Sequence, residues 1–384
     1  MKRSVIYEKK INNYNNAYIE KSPDNYSLVK STKHMQLFQI YLPLTINQSK
    51  NTSLSTQILD RNFKCKIANS NYKDIIEAIK CIYSVYGYRY SYRTFYYPNK
   101  FKRLMDKDRI KSYLMINEHG QIGGHAALIK SDSFRLLPEV TMIVVKPAFR
   151  GLKLSCLLLD CILEASNGLR INGLCAQPVV FHSISQKIFY DRGFVACGFL
   201  FHYLNEEVTE LFSKERRLDL ALCVKTINKK YVTKIYPPEE HVYFIKNIYR
   251  KLSIKCETSR YRIIESSSDF DYSFDNNLGI CTIIFDRVGK DISNLIDSVI
   301  DECELNKKEM IVMYINMKNP SCNYGYKTAI DKGFIFSGIK PLSDNGDYII
   351  VQHMLNHSID YDVIKAEYDY KNLLEYIRLF NERN

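Results

Sequence analysis

The chain has 384 residues, of which 46% are hydrophobic and 25% charged, with only 15 Gly and 10 Pro. This composition is typical of a folded protein and excludes a disordered chain, and the length predicts two domains or one large unit with two lobes. The formal net charge of +12 favours an anionic partner, either a nucleic acid, an anionic membrane surface or a phosphorylated ligand, without choosing among them.

Membrane anchors, metal sites and disulfides are not predicted. No run of about 18 apolar residues occurs, and no apolar stretch follows the basic N-terminus to act as a signal peptide. We therefore expect a cytoplasmic protein without membrane contact. The 11 cysteines include no C-x-x-C pair, which indicates reduced thiols used as small hydrophobic residues.

The first elements in chain order are a strand, a helix and a hairpin. Residues 1–62 are predicted to be an N-terminal extension without assignable function, and a short strand follows at 63–67. Apolar residues then recur at helical spacing from Ile75 to Tyr86, and Gly87 ends that helix. The hairpin is predicted from two apolar runs and the turn residues between them, at 112–116, 117–120 and 122–129.

A strand that leads through a basic turn into a helix is the most informative part of the sequence. The strand is Glu139–Val145, the turn contains Arg150, Gly151 and Lys153, and the apolar face of the helix begins at Leu154. The start of a helix presents unpaired N–H groups and a positive dipole end, so this arrangement favours phosphate binding. A solvated basic turn in an α/β protein is the alternative interpretation.

The next segments complete a first half, and the last third of the chain repeats its plan. The first half should continue with a strand at 174–180, the polar segment 182–187, a short helix and the Gly-Phe segment 190–198. It should end with two strands, at 198–204 and 218–226. The second half should contain a helix after Pro237, two strands, a helix and a buried strand, at 258–265, 279–286, 292–303 and 310–315.

Two short segments indicate an internal duplication. Residues 190–198 and 330–338 share an acidic residue, a basic residue, a Gly-Phe pair and a final glycine. They lie 140 residues apart, which is about the length of one domain.

Residues 63–205 resemble the GNAT family of acyl-CoA-dependent N-acyltransferases. The resemblance is carried by Val145-x-Pro147-x-x-Arg150-Gly151, by the helix behind this motif, and by residues 185–194, which are similar to the last helix and Gly-Phe strand of the family. It implies that the backbone of 142–145 pairs with the pantetheine arm of an acyl-CoA and that N–H groups between residues 150 and 155 bind its pyrophosphate. The donor-binding residues so implied are Ile143, Val144, Val145, Arg150, Gly151, Leu152, Lys153, Leu154 and Ser155.

The chain departs from the family pattern at two positions. Lys153 stands where the family has its main glycine, which removes the conformational freedom that lets the backbone approach the phosphates. Phe189 stands where the family often has the tyrosine that protonates the leaving thiolate, and Tyr190 is the adjacent candidate acid.

The resemblance also implies candidates for the remaining chemistry. Glu139 fits the position of the base or water relay, with an exposed carboxylate at a strand start as the plain alternative. His182 lies in the loop where an acceptor would enter and titrates near neutral pH, although a loop histidine is commonly just polar surface. His125 alternates on a core strand and is expected to be an interior histidine.

The fold class expected from the sequence is therefore α/β (α+β), with two GNAT-like lobes that each contain a mixed, mostly antiparallel sheet flanked by helices. The acyltransferase domain should span 63–226, and a degenerate second domain should span 227–384, where the corresponding turn, 287–290, lacks the donor-binding pattern. The expected activity is transfer of an acyl group, by default acetyl, from acetyl-CoA or a longer acyl-CoA to an amine of a small molecule or peptide.

Three alternatives stay open. The donor could be an acyl carrier protein, whose acidic surface suits the basic chain, or the protein could bind a donor without turnover. The third is nucleic-acid binding, which the alternating aromatic and arginine residues of 86–97 suggest but the abundance of tyrosine throughout the chain weakens.

Overall fold

The computed structural model describes residues 62–205, 217–355 and 358–383. These residues form a mixed α/β fold with mostly antiparallel sheet flanked by helices, which confirms the predicted fold class. The predicted extension at 1–62 lies outside the described residues apart from Asn62.

The elements up to the middle of the chain follow the predicted order, with one helix, Pro98–Asp106, that was not predicted. They are β1 (Phe63–Ile67), α1 (Tyr72–Tyr86), α2 (Pro98–Asp106), β2 (Ile110–Asn117), β3 (Ile122–Ile129), β4 (Glu139–Val145), α3 (Leu154–Ser166), β5 (Gly173–Ala176), α4 (Ile184–Tyr190), β6 (Val195–Leu204) and β7 (Leu218–Thr226).

The second half follows with a similar alternation of strands and helices. Its elements are β8 (Val232–Ile235), α5 (Val242–Lys251), β9 (Lys255–Thr258), β10 (Asp269–Asp275), β11 (Ile280–Arg287), α6 (Ile292–Leu305), β12 (Met310–Asn316), α7 (Cys322–Asp331), β13 (Ile335–Lys340), β14 (Tyr348–Met354) and α8 (Asp369–Asn381).

Two predicted strands are wrong in extent or position. The strand expected at 174–180 is β5, which ends at Ala176, because Pro178 offers no N–H to continue a ladder. The strand expected at 258–265 does not form; β9 ends at Thr258 and β10 begins at Asp269.

The described residues form two compact units. The smaller contains 62–127 and 142–161, and the larger contains 128–141 and the described residues from 162 onward. The domain boundary expected at 226/227 is not tested by this division and stays a prediction.

The strands β1, β2, β3 and β4 are successive neighbours, and β1 and β2 are antiparallel. Helix α1 begins at Asn71, whose side-chain oxygen accepts a hydrogen bond from the N–H of Asp74, and it ends at Gly87, whose φ of 56° closes it. Ile75, Ile79 and Ile82 on one face of α1 are fully buried, as the periodicity predicts.

In the larger unit, the strand order is β4-β5-β7-β6-β13-β14-β12-β11-β10. The order from β4 to β6 is repeated in reverse from β13 to β11, and the pairs β4–β5 and β11–β12 are both parallel. At the centre, Gly198 of β6 pairs with Gly338 of β13, the glycines that end the two matching segments. The two matching segments therefore meet at the same position of each, as the corresponding segments do at a two-fold interface between identical subunits.

Close approach explains why both positions are glycine. A Cβ on Gly338 would lie 2.3 Å from Cα of Gly198, and a Cβ on Gly198 would lie 2.9 Å from the carbonyl oxygen of Ser337. Only residues without side chains allow the two strands to pair at this point.

Within the described residues, no helix is long and apolar enough to cross a membrane.

Candidate functional site

The turn between β4 and α3 presents a run of backbone donors. A short 3-10 turn, Pro147–Phe149, follows the strand, and the carbonyl of Lys153 accepts the first hydrogen bonds of the helix, from the N–H groups of Cys156 and Leu157. No N–H group of residues 151–155 donates a hydrogen bond to another described residue. Successive free N–H groups at the start of a helix form a concave site for an anion.

Lys153 adopts a left-handed backbone conformation. Its φ is 56° and that of Gly151 is 85°, both in the left-handed region. For a residue with a Cβ this conformation costs on the order of 1–2 kcal/mol. The turn therefore contains a strained, charged residue at position 153.

The turn is electropositive. Arg150 and Lys153 are exposed and form no ion pair with a described residue, so both charges are available to a ligand. Lys146, just before the turn, lies 3.5 Å from the carboxylate of Glu77 on α1. An anion at residues 151–155 would thus meet two unpaired cations as well as the positive end of the α3 dipole.

Strand β4 carries a second irregularity, at Met142. This residue has a φ of 50°, which marks a bulge in the strand. The ladder with β5 consists of Glu139 opposite Cys175 and Val140 opposite Ala176, and it stops two residues before the bulge. Backbone groups beyond the bulge are therefore not used by β5, as binding of an extended ligand arm along that edge requires.

The equivalent strands of the second half stay paired. Strands β11 and β12 pair in a continuous register from Ile280↔Met310 to Phe285↔Ile315. The backbone groups on their facing edges hydrogen-bond to each other, so these groups are not available to a ligand.

In the turn before α6, backbone N–H groups also form hydrogen bonds with other parts of the chain. The N–H of Gly289 donates to Oγ of Ser268 at 2.9 Å, and the N–H of Lys290 donates to the carbonyl of Glu265 at 2.9 Å. The carboxylate of Asp291 accepts from both the N–H and the hydroxyl of Ser268. In this turn, therefore, the chain itself uses the N–H groups of Gly289 and Lys290.

Glu139 lies in the larger unit, where it begins β4. It is half-buried, and burial raises the pKa of its carboxyl, while the charge of Lys340 and a hydrogen bond with Thr141 act in the opposite direction. No sequence signal marked Lys340, which is about 200 residues away along the chain and is placed by the pairing of β13 with β6.

The candidate acid Tyr190 ends α4 and packs on the C-terminal region. Its ring stacks on Tyr368 with centroids 4.8 Å apart and is 42% exposed. Phe189 is buried against Phe194 instead. The role of Tyr190 as an acid stays a prediction.

His182 is half-buried beside Phe181, with ring centroids 4.5 Å apart. Burial lowers the pKa of its imidazole, and the nearby charge of Lys365 adds to this effect. Glu139, His182 and Tyr190 all lie in the larger unit, whereas Ile143, Val144 and the 151–155 turn lie in the smaller one.

His125, which the sequence predicts to be an interior histidine, lies in the core. His125 is fully buried, and its Nε2 lies 2.6 Å from the hydroxyl of Ser112, which agrees with an interior histidine. Burial lowers its pKa to about 3. Among the described residues no cluster of His, Cys, Asp and Glu could hold a metal ion.

An open groove of about 640 Å³ lies between α5 and β9 in the larger unit. Lys246, Arg250 and Lys255 line it and form no ion pair with a described residue. The groove is therefore a basic surface, separate in sequence from the 151–155 turn.

No protein-family model and no curated protein matches the chain. Among solved structures, the chain is similar to an N-acetyltransferase from Staphylococcus aureus, with 18% identity and a TM-score of 0.35 over 44% of this chain and 99% of that one. It is also similar to the ribosomal-protein-S18-alanine N-acetyltransferase from Escherichia coli, with 11% identity and a TM-score of 0.34 over 43% and 94%. A spermidine/spermine N-acetyltransferase from Vibrio cholerae gives 15% identity and a TM-score of 0.34 over 44% and 96%. The functional assignment therefore rests on the geometry of the chain itself.

Proposed function

We propose that this protein is an acyl-CoA-dependent N-acyltransferase of the GNAT type, in which the first half binds the donor and the second half does not. The observation that carries the proposal is the run of free N–H groups at 151–155, which follows a bulged strand and opens helix α3. The resemblance in the sequence assigns this turn to the pyrophosphate of CoA. Acetyl is the default acyl group and a small-molecule or peptide amine the default acceptor.

The contrast between the halves supports a single donor site. The bulge, the short β4–β5 ladder and the free N–H groups occur together in the first half. Their counterparts in the second half are a full β11–β12 ladder and a turn bonded to Ser268 and Glu265. A degenerate copy of the duplicated fold accounts for this loss.

The reaction needs a neutral amine, whose lone pair attacks the thioester carbon; the C–S bond then breaks and the thiolate leaves. Glu139 is the proposed acceptor of the amine proton, directly or through water. The leaving thiolate takes a proton from a nearby acid, for which Tyr190 and His182 are the candidates. Donor N–H groups would bind the pyrophosphate without taking part in these proton transfers.

Isothermal titration with acetyl-CoA tests the donor site. Arg150→Ala combined with Lys153→Ala should weaken binding by about tenfold or more, because each removed cation takes away a charge-assisted phosphate contact. The matched control is Arg287→Ala with Lys290→Ala, which removes the basic residues of the corresponding second-half turn and should leave the affinity unchanged. An equal loss of acetyl-CoA affinity in the two double variants would contradict the assignment of the donor to 151–155.

Turnover separates an enzyme from a protein that only binds a donor. With an amine acceptor, Glu139→Gln should lower kcat by about 10²-fold or more while acetyl-CoA binding stays unchanged. Unchanged turnover in this variant would remove Glu139 from the mechanism. Donor binding by the wild type without turnover of any amine would favour the binding protein.

The two remaining alternatives have separate readouts. Competition between free CoA and a purified acyl carrier protein distinguishes the two donors, since the basic groove at Lys246, Arg250 and Lys255 suits an acidic carrier. Binding to single-stranded DNA should fall steeply with salt if the chain is a nucleic-acid-binding protein, whereas acyl-CoA affinity should change less.

A further inference from the structure

Strand β9 is paired on one side only. Among the described residues, β8 and β9 form a parallel sheet of two strands in a continuous register. The N–H of Ser259, directly after β9, donates to the carbonyl of Ile235 at 2.9 Å. Because backbone groups alternate between the two edges of a strand, the N–H and carbonyl groups of Cys256 and Thr258 point away from β8. None of these groups forms a hydrogen bond with a described residue.

The groove between α5 and β9 adjoins this free edge. Lys255 and Cys256 line it from β9, and Tyr243, Lys246 and Arg250 line it from α5. Its volume of about 640 Å³ gives room for the side chains of a bound segment. Tyr243 is 83% exposed and adds an aromatic ring with which such side chains can pack. The strand edge and the groove both lie in the larger unit.

The groove has an excess of positive charge. Lys246, Arg250 and Lys255 are exposed, and none of them forms an ion pair with a described residue. The acidic residue of β9, Glu257, lies opposite Lys234 of β8, so its charge is balanced within the small sheet. The three unpaired cations therefore favour a ligand with negative charges.

The spacing of the cations on α5 fits an extended chain. Lys246 and Arg250 are one helical turn apart, which places them about 6 Å apart along the helix. Side chains on one face of an extended peptide recur at every second residue, about 6.6 Å apart. A nucleic acid fits less well, because phosphate oxygens only accept hydrogen bonds and would leave the carbonyl groups of Cys256 and Thr258 unused.

We propose that β9 and the adjoining groove bind an extended acidic segment of a partner protein. The segment adds a strand to the free edge, where its backbone pairs with the N–H and carbonyl groups of Cys256 and Thr258. Carboxylates at alternate positions of the segment face Lys246 and Arg250. Backbone pairing supplies affinity for any extended peptide, and the cations select acidic ones. This binding surface does not depend on the acyltransferase proposal.

The first arm of the test measures binding of a short acidic peptide to the full chain by fluorescence anisotropy. The probe is a fluorescein-labelled peptide of alternating Thr and Glu residues, and the control peptide has Gln in place of every Glu. The Glu peptide should bind at least about tenfold more tightly, because each Gln removes a charge-assisted contact. Equal affinities, or no saturable binding of the Glu peptide up to about 1 mM, would overturn the proposal.

Backbone methylation tests the pairing of strands. One peptide carries an N-methyl group at every Glu and a second carries it at every Thr. Since the N–H groups of successive residues point to opposite edges of a strand, only one of the two peptides loses the donors that face β9. That peptide should bind at least about tenfold more weakly than the other. Equal affinities of the two would overturn strand addition and leave a surface that recognises charge alone, as an acidic carrier protein would use it.

Variants of α5 test the cations. Lys246→Met combined with Arg250→Met should weaken binding of the Glu peptide by about tenfold or more. The matched control is Lys327→Met with Lys371→Met, at exposed lysines of α7 and α8 that form no ion pair with a described residue. This control should retain the affinity of the wild type for the peptide. An equal loss in the two double variants would mean that only the net charge of the chain matters, and the groove assignment would be wrong.

Competition and sedimentation test the other occupants of the edge. Oligothymidylate should displace the labelled peptide only at concentrations about tenfold or more above those of the unlabelled peptide, and displacement at equal concentrations would overturn the proposal in favour of a nucleic acid. If the chain sediments as a dimer that the peptide dissociates, a second copy of the chain occupies β9 and the proposed partner is wrong.

Discussion

Replacing Lys153 by glycine should stabilise the protein. The φ of 56° at this residue costs on the order of 1–2 kcal/mol for a residue with a Cβ, and glycine removes that strain. Glycine also gains conformational entropy in the unfolded chain, which offsets about 0.4–1 kcal/mol. The net expected gain in the free energy of unfolding is about 0.5–1 kcal/mol, which corresponds to a rise in Tm of about 1–4 °C.

Lys153→Ala is the matched control, because it removes the same ammonium and keeps a Cβ in the left-handed conformation. Its free energy of unfolding should stay within about 0.5 kcal/mol of the wild type. Urea unfolding at equilibrium, followed by fluorescence and circular dichroism, measures both differences. Equal stability of the glycine and alanine variants would refute the strain that we assign to this residue.

The same pair of variants tests how the turn binds its ligand. Both lose the lysine charge, so a difference between their acetyl-CoA affinities reports on the backbone alone. Since the free N–H groups of 151–155 are the proposed pyrophosphate contacts, the glycine variant should bind at least as tightly as the alanine variant. Weaker binding by the glycine variant would indicate that a rigid turn matters more than an unstrained one.

Two further predictions concern the core. Gly198→Ala should lower the free energy of unfolding by about 1–3 kcal/mol, because its Cβ would lie 2.9 Å from the Ser337 carbonyl oxygen, whereas Gly168→Ala, with open space around the new Cβ, should be nearly neutral in urea unfolding. Because burial lowers the pKa of His125 to about 3 from 6.5, its contribution to stability is present above pH 6.5 and is lost as the pH falls toward 3, by about 2 kcal/mol at pH 5. His125→Gln should reduce the slope of stability against pH by about one proton between pH 6 and 4, and an unchanged slope would contradict a neutral buried imidazole.

Local sequence patterns predicted most of the helices and strands of the first half. Periodicity and turn residues predicted α1, the β2–β3 hairpin, β4 and α3 closely, because each depends on contacts between residues near in sequence. The predicted strand bounds were wrong in two places: β5 stops at Ala176, and the strand expected at 258–265 does not form, since β9 ends at Thr258 and β10 begins at Asp269. Strand extent depends on pairing between distant segments, which a single sequence does not display.

The sequence by itself determined the strand–turn–helix at 139–166 and the matching glycine segments at 190–198 and 330–338, since both are patterns of neighbouring residues. Only the tertiary structure decided that Lys153 takes a left-handed conformation, that Gly198 pairs with Gly338, and that Ser268 occupies the second turn. It also decided that the ammonium of the buried Lys340 lies 3.7 Å from the ring centroid of Phe134. These features come from strand pairing and burial between segments far apart in the chain, where the stabilisation depends on geometry that no local pattern encodes.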